Sequence, residues 1–235
     1  MILQRFRQGQ SKERGFSLIE LLVAMAMLGI VLGAIYSTYK SQQDTYVAQE
    51  QVAEMQQNIR AALYMMGRDI RMAGMNPIGA PNVGGFVNQL PDDPGLGTTT
   101  DSTNIAFTLD RDQDGMIDVD DDTEQIAYRL DAGNDRLEKA TYNSGTDTWT
   151  WETIAEGIDA LDFQYLDASG ALTATLADIR SVEITLVARS RMGDRNFTDM
   201  SAYSNQQSQV ILAAQNDNFR RRSLTTTILC RNMGI

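Results

Sequence analysis

Residues 110–122 read Asp-Arg-Asp-Gln-Asp-Gly-Met-Ile-Asp-Val-Asp-Asp-Asp, which sets Asp110, Asp112 and Asp114 at alternate positions ahead of Gly115. That order matches the first half of an EF-hand type loop: three carboxylates, a glycine for the tight turn, then a main-chain carbonyl, here that of Met116. Carboxylates packed this closely repel one another unless a cation sits among them, and calcium prefers such flexible all-oxygen cages. The expected chemistry is therefore calcium binding by Asp110, Asp112, Asp114, Met116, Asp118 and Asp121. Position 12, where an EF-hand has a bidentate Glu, is Asp121; a shorter site closed by Asp118 is equally compatible. The alternative to metal is a solvated acidic turn.

A second acid stands out by its surroundings. From Phe16 to Ile35 the chain runs twenty residues without Lys, Arg, Asp or Pro, and the one charge in that run is Glu20. Twenty helical residues reach about 30 Å, the thickness of a bilayer core. Ahead of the run stand Arg5, Arg7, Lys12 and Arg14 against the single acid Glu13, so the positive-inside rule keeps the leader cytoplasmic and sends the rest across the inner membrane. A carboxylate in hydrocarbon is costly and needs a partner, unless it snorkels to the interface. The small residue on the leader side, Gly15, lies between the last cation and the apolar run. Cleavage there would remove the charges, keep the anchor, and leave a new amino group on Phe16 about one helical turn from Glu20. An amine of one subunit facing the carboxylate of another would neutralise both.

The run Gly15-Phe16-Ser17-Leu18-Ile19-Glu20 behind a basic leader resembles the processing site of type IV prepilins and of the pseudopilins of type II secretion. The resemblance implies cleavage between Gly15 and Phe16 by a prepilin peptidase, N-methylation of Phe16, and pairing of Glu20 with a neighbour's N-terminus during assembly. The expected partners are thus the peptidase, other minor pilins and the major pilin, met through the N-terminal helix. Gly29 and Gly33 form a GxxxG pair that either permits close helix contact or merely softens the helix. The chain lacks the helix proline usual in major pilins, and the lone Cys230 cannot form their intrachain disulfide; Cys230 reads as a buried small hydrophobe.

Composition narrows the function further. The chain has 20 basic and 31 acidic residues, a net charge of −11, and the leader contributes four of the cations and one of the acids. Removing the leader leaves about −14, which repels nucleic acid and suits cationic partners or divalent metal. With no histidine, Ser/His/Asp and Cys/His nucleophiles and His-rich zinc sites are excluded, and the acidic pairs expected by chance on such a surface do not argue for an enzyme.

The elements that position these residues follow from periodicity. Val52, Met55, Ile59, Leu63, Met66, Ile70 and Ala73 recur at spacings of three and four, drawing one stripe along a helix that stops at Gly74 and Asn76-Pro77. Residues 76–103 read as a long surface loop, and 192–217 as a second. Strands are expected at 104–109, 125–130, 136–142, 148–154, 158–166 and 179–190, the last with Val182, Ile184, Leu186 and Ala188 on one face. A final strand within 219–231 carries Arg220, Arg221 and Arg222 as a local basic patch. The expected class is α+β and pilin-like: a leader 1–15, a membrane half 16–39 and an amphipathic half 40–74 of one helix, and a β-rich domain 75–235. The strand order and Arg-rich end resemble PilW-type minor pilins and J-type minor pseudopilins. What the resemblance implies is a minor pilin at or near the tip of a type IV pilus on the cell surface. A minor pseudopilin in the periplasm, or a calcium-dependent adhesin with a prepilin-type signal, are the alternatives.

Overall fold

The computed structural model describes residues 15–81, 83–91, 96–118, 120–143, 145–146 and 148–234. The basic leader, residues 1–14, lies outside the described residues. The fold is α+β, as expected from the pattern. Among the described residues one α-helix, α1 (Leu18–Met72), is followed by ten strands and a short 3-10 helix (Leu176–Asp178), and the chain divides at Ala48/Gln49 into two compact units. The helix half after residue 48 thus belongs with the strands rather than ahead of their domain.

In the first unit, the side chains of α1 from Leu18 to Tyr46 are exposed throughout, and an 18-residue window there has a mean hydropathy of 2.5. The helix is long and apolar enough to cross a membrane. In the second unit, Met55, Ile59, Leu63, Met66, Ile70 and Ala73 are buried, with Val52 packed at their edge, so the stripe read from sequence is the face that meets the sheets. Gly74, at φ +75°, ends the helix in the left-handed region, where its N–H donates to the Thr108 carbonyl. Gly67 meets the last strand: a Cβ there would stand 3.0 Å from Ile228 Cδ1.

The strands form two main sheets. Five antiparallel strands run in spatial order β1 (Gly85–Phe86), β2 (Asn104–Thr108), β3 (Gln125–Asp131), β4 (Arg136–Asn143) and β5 (Thr148–Glu156). Three more, β10 (Arg221–Leu229), β7 (Ser181–Arg189) and β6 (Ile158–Leu166), form the second sheet with β7 central. Ile105, Phe107 and Tyr128 of the first sheet and Phe163, Val182, Ile184 and Leu186 of the second share one core with α1.

Both regions expected as loops are more structured than that. Residues 76–103 include β1, and Phe86 and Leu90 are buried, Leu90 with Ala106, Ala127, Ala140 and Trp149 on the far face of the first sheet. Residues 192–217 contain the hairpin β8 (Tyr203–Ser204) and β9 (Val210–Leu212). Asn205 Nδ2 donates to Asp162 Oδ2 at 2.9 Å and Gln207 Nε2 to Glu183 Oε2 at 2.7 Å, so this segment packs on the outer face of the second sheet. That is why β7 is buried on both faces, Glu183, Thr185 and Val187 included, although its sequence alternation singles out one.

Candidate functional site

Three groups of polar side chains could serve function: the first turn of α1, the acidic loop, and the arginines of β10.

Gly15 and Phe16 precede the helix, both exposed, and among the described residues beyond its chain neighbours none comes within 4 Å of a Cβ built on Gly15. Ser17 and Glu20 then cap the helix reciprocally. The Glu20 N–H donates to Ser17 Oγ at 3.2 Å, and the Ser17 N–H donates to Glu20 Oε2 at 3.3 Å. This is a capping box, legible as Ser-x-x-Glu but not drawn from the sequence above. It aims the Glu20 carboxylate back toward the chain end, the direction in which the Phe16 nitrogen lies. The Glu20 carboxylate thus closes the first turn of its own helix.

The acidic loop is built from β2 outward. Asp110, fully buried, is fixed by its N–H donating to the Met75 carbonyl at 2.8 Å. Its Oδ1 accepts the Gln113 N–H at 2.7 Å and its Oδ2 the Gly115 N–H at 3.1 Å. Gly115 takes φ +85°, a conformation that favours glycine, and a Cβ there would come 2.5 Å from the end of the exposed Ile78 side chain, which would have to shift. Glu124, 1% exposed at the start of β3, reaches back: its Oε1 accepts the N–H groups of Arg111 and Asp112 and its Oε2 that of Asp118. Carboxylate oxygens of Asp110, Asp112 and Glu124 thus lie within 4.8 Å of one another.

The ligand set expected from sequence is therefore rearranged. Asp110 and Asp112 converge, whereas Asp114, Asp118 and Asp121 fall outside that group. Asp114 Oδ1 accepts the Met116 N–H, and Asp121 Oδ1 accepts the Thr123 N–H at 2.6 Å, closing its own turn rather than the loop. Met116 exposes 60% of its surface. Glu124, which the sequence reading missed, stands with them instead; it is the first Glu after the aspartate run, three residues beyond position 12. Desolvation and then the negative charges of Glu124, Asp114, Asp112 and Asp120 push the Asp118 carboxyl above its ordinary value. An all-carboxylate donor set of this kind fits a hard divalent cation.

The expected basic patch at Arg220–Arg222 is not one. Arg221 is buried, its guanidinium paired with Asp217 through two bonds of 2.6 and 2.7 Å, with Asp199 at 3.3 Å, and with Asp159 through Nε. Asp159 also meets Arg189 at 3.2 Å, and Arg220 pairs with Asp194 at 2.8 Å over the Phe197 ring. Arg220 is partly exposed and Arg222 faces solvent. The cluster ties β6 and β10 to the segment that covers them, a structural role that alternating side-chain direction could have suggested for Arg221 but its partners could not.

Comparison with known proteins follows the same lines. Residues 10–36 match the prokaryotic N-terminal methylation motif, and residues 48–227 match the family described as prepilin peptidase-dependent protein B. The chain is 27% identical over 190 residues to the pilin-like protein PilA3 of Thermus thermophilus, covering 76% of this chain and 80% of that one. A solved structure, the type IV-like pilin TTHA1219 from Thermus thermophilus, aligns with 76% of this chain and 97% of its own at 14% identity and a TM-score of 0.47. With a methylation motif at the start of its apolar helix and the family match running through almost all of its two-sheet unit, the chain belongs to the prepilin peptidase-dependent protein B family.

Proposed function

We propose that the protein is a minor pilin, a low-copy structural subunit that primes assembly of a type IV pilus and sits at or near its tip. The observation that carries this reading is the first turn of α1: Gly15 and Phe16 are exposed, and Glu20 is directed back toward them at the head of an apolar helix with exposed sides. On this reading prepilin peptidase cuts after Gly15, Phe16 is methylated, and the chain waits in the inner membrane as a single pass with its N-terminus cytoplasmic. Other minor pilins and the major pilin then meet it through the helix, where Glu20 exchanges its own Ser17 N–H for the charged amine of a neighbour. A minor pseudopilin of a type II secretion system would use the same helix; co-purification with retraction-type pilus components rather than with secretion components separates the two.

The test is processing. A Gly15→Val precursor, expressed with its peptidase, is expected to keep its leader, shown by intact mass and by an N-terminus at Met1. Removal of the leader from that variant, or a wild-type mature chain that begins at Met1, would overturn the reading.

A second element of the proposal is a calcium ion held by Asp110, Asp112 and Glu124, supported by the convergence of their oxygens. Bound calcium would order the loop between β2 and β3 and serve as a structural clamp or, in an adhesin, as part of a binding face. Millimolar calcium is expected to raise the unfolding midpoint of the wild type, by about 2.7 kcal/mol of added stability once its concentration is a hundred times Kd. Glu124→Gln should abolish that gain. A midpoint indifferent to both calcium and chelator would remove calcium from the account.

A further inference from the structure

Over its last turns, residues 57–72, the side of α1 turned away from the core carries a charge opposite to that of the molecule, while Glu50 and Glu54 occupy the same stripe further back. Gln57, Arg60, Tyr64, Arg68 and Arg71 follow one another at spacings of three and four and so share a face. All five are exposed; Tyr64 shows 74% of its surface and the Arg68 side chain 61%. Between residues 57 and 72 the helix has one carboxylate, Asp69, and that one is buried against Tyr128 and Lys139. The exposed face there thus holds three arginines and no acid, in a chain whose net charge is −11.

Elsewhere in this unit Arg129, Arg136, Arg189, Arg220 and Arg221 pair with acids, whereas Arg111, Arg180, Arg191, Arg195, Arg222 and Arg231 lie scattered without an ion pair among the described residues; only on α1 do three arginines share one exposed helix face. Among the described residues Arg60 and Arg71 have no ion-pair partner, and Arg68 turns to Asp69 while keeping most of its side chain in water. Three like charges within four turns repel one another mildly in isolation and gain most when a shared acidic surface covers them. Arginine and tyrosine are also the residues that carry binding energy at protein interfaces, the first by forked bonds to carboxylates, the second by rigid, amphipathic area.

We infer that the Arg60–Tyr64–Arg68–Arg71 face is a docking surface for a carboxylate-bearing face of a different pilin-type subunit. Two copies of this chain, each near −14 after processing, repel one another, which favours a less acidic relative over self-association. Nucleic acid is disfavoured by the same field. The inference rests on the pilin-type assembly proposed above and adds to it the chemistry by which the water-exposed half of the helix chooses its neighbour.

The experiment uses the full chain, co-expressed in one membrane with tagged forms of the other prepilin-type subunits of its organism and recovered in mild detergent. Wild type should be recovered with at least one of them, less so as salt rises and screens the pairs. Arg60→Glu with Arg71→Glu should cut that recovery about tenfold or more, Arg60→Lys with Arg71→Lys much less, and Arg222→Glu not at all. Both charge-reversed positions are exposed, so the unfolding midpoint should not move; a photo-crosslinking residue at Tyr64 provides a second readout and should join the same subunit. Undiminished recovery of the doubly reversed variant, or a crosslink only to another copy of this chain, overturns the inference while leaving the pilin reading standing. Absence of every prepilin-type subunit from the wild-type preparation overturns both.

Discussion

Replacing Arg221 with methionine is expected to lower the stability of the second unit by about 3–5 kcal/mol, the cost of removing one partner from a buried ion cluster. Methionine fills much of the space, so what is lost is charge. The Arg221 side chain is 2% exposed, and the Asp159 and Asp199 side chains beside it 6% and 3%. With the guanidinium gone, Asp199 loses its cation and Asp159 keeps only Arg189. Arg221 holds the Asp217 carboxyl below the ordinary range, whereas burial, together with the nearby charge of Asp135, raises that of Asp159 by more than its two arginines lower it. In urea or heat the midpoint should therefore drop, by about 10 °C in a domain of this size. Adding Asp159→Asn and Asp199→Asn to the Arg221→Met chain should restore part of the loss, because the penalty lies in uncompensated carboxylates. If Arg221→Met alone unfolds where wild type does, the cluster is not holding the covering segment to its sheet.

Asp69→Ala should cost about 2–4 kcal/mol, for a related reason on the other sheet. Asp69 is a helix residue 1% exposed, and its Oδ2 accepts the Tyr128 hydroxyl at 2.6 Å and faces Lys139 Nζ at 3.2 Å. Truncation strands a fully buried phenol and a half-buried ammonium at once. The pH dependence has a defined sign. Burial raises the Asp69 carboxyl, but the bonds from Tyr128, Lys139 and Arg68 outweigh it and leave it below its ordinary value. A carboxyl lower in the folded than in the unfolded chain contributes stability that is fully present above the unfolded value, about 3.9, and is lost as pH falls through the folded one. The stability gap between wild type and Asp69→Asn should accordingly be constant from about pH 7 to 5 and close below about pH 4. A gap that stays open in acid would mean the charge on Asp69 contributes nothing.

How far the sequence could be read depended on the length over which a pattern repeats. The buried stripe of α1 and the strands from 104 to 166 show their period over several residues, and the structure places them within a residue or two of where the pattern does. Strand β1 has two residues and the hairpin β8–β9 five, too few for any period, and they exist because a neighbour offers main-chain partners. The face of β7 bearing Glu183 and Thr185 reads as solvent-facing because nothing local reveals that residues 192–217 return to cover it. Glu124 escaped for a similar reason: the aspartate spacing is local, but which acid closes the loop depends on where β3 begins to pair with β2. The first turn of α1 shows the reverse, since Ser17 and Glu20 had their geometry written in four consecutive letters.

Asn232 donates its side-chain amide to the carbonyls of Arg71 and Met72, the last residues of α1, across 160 positions of chain. Just before it, Ile228 fills the notch left by Gly67, and Cys230 enters the same core. The end of the helix is thus completed by residues some 160 positions further along the chain. A folding intermediate that has not yet placed β10 and the turn after it leaves the helix end unlatched and β7 short of one neighbour. Contacts between residues so far apart in sequence slow folding, so closing the helix end belongs among its late steps.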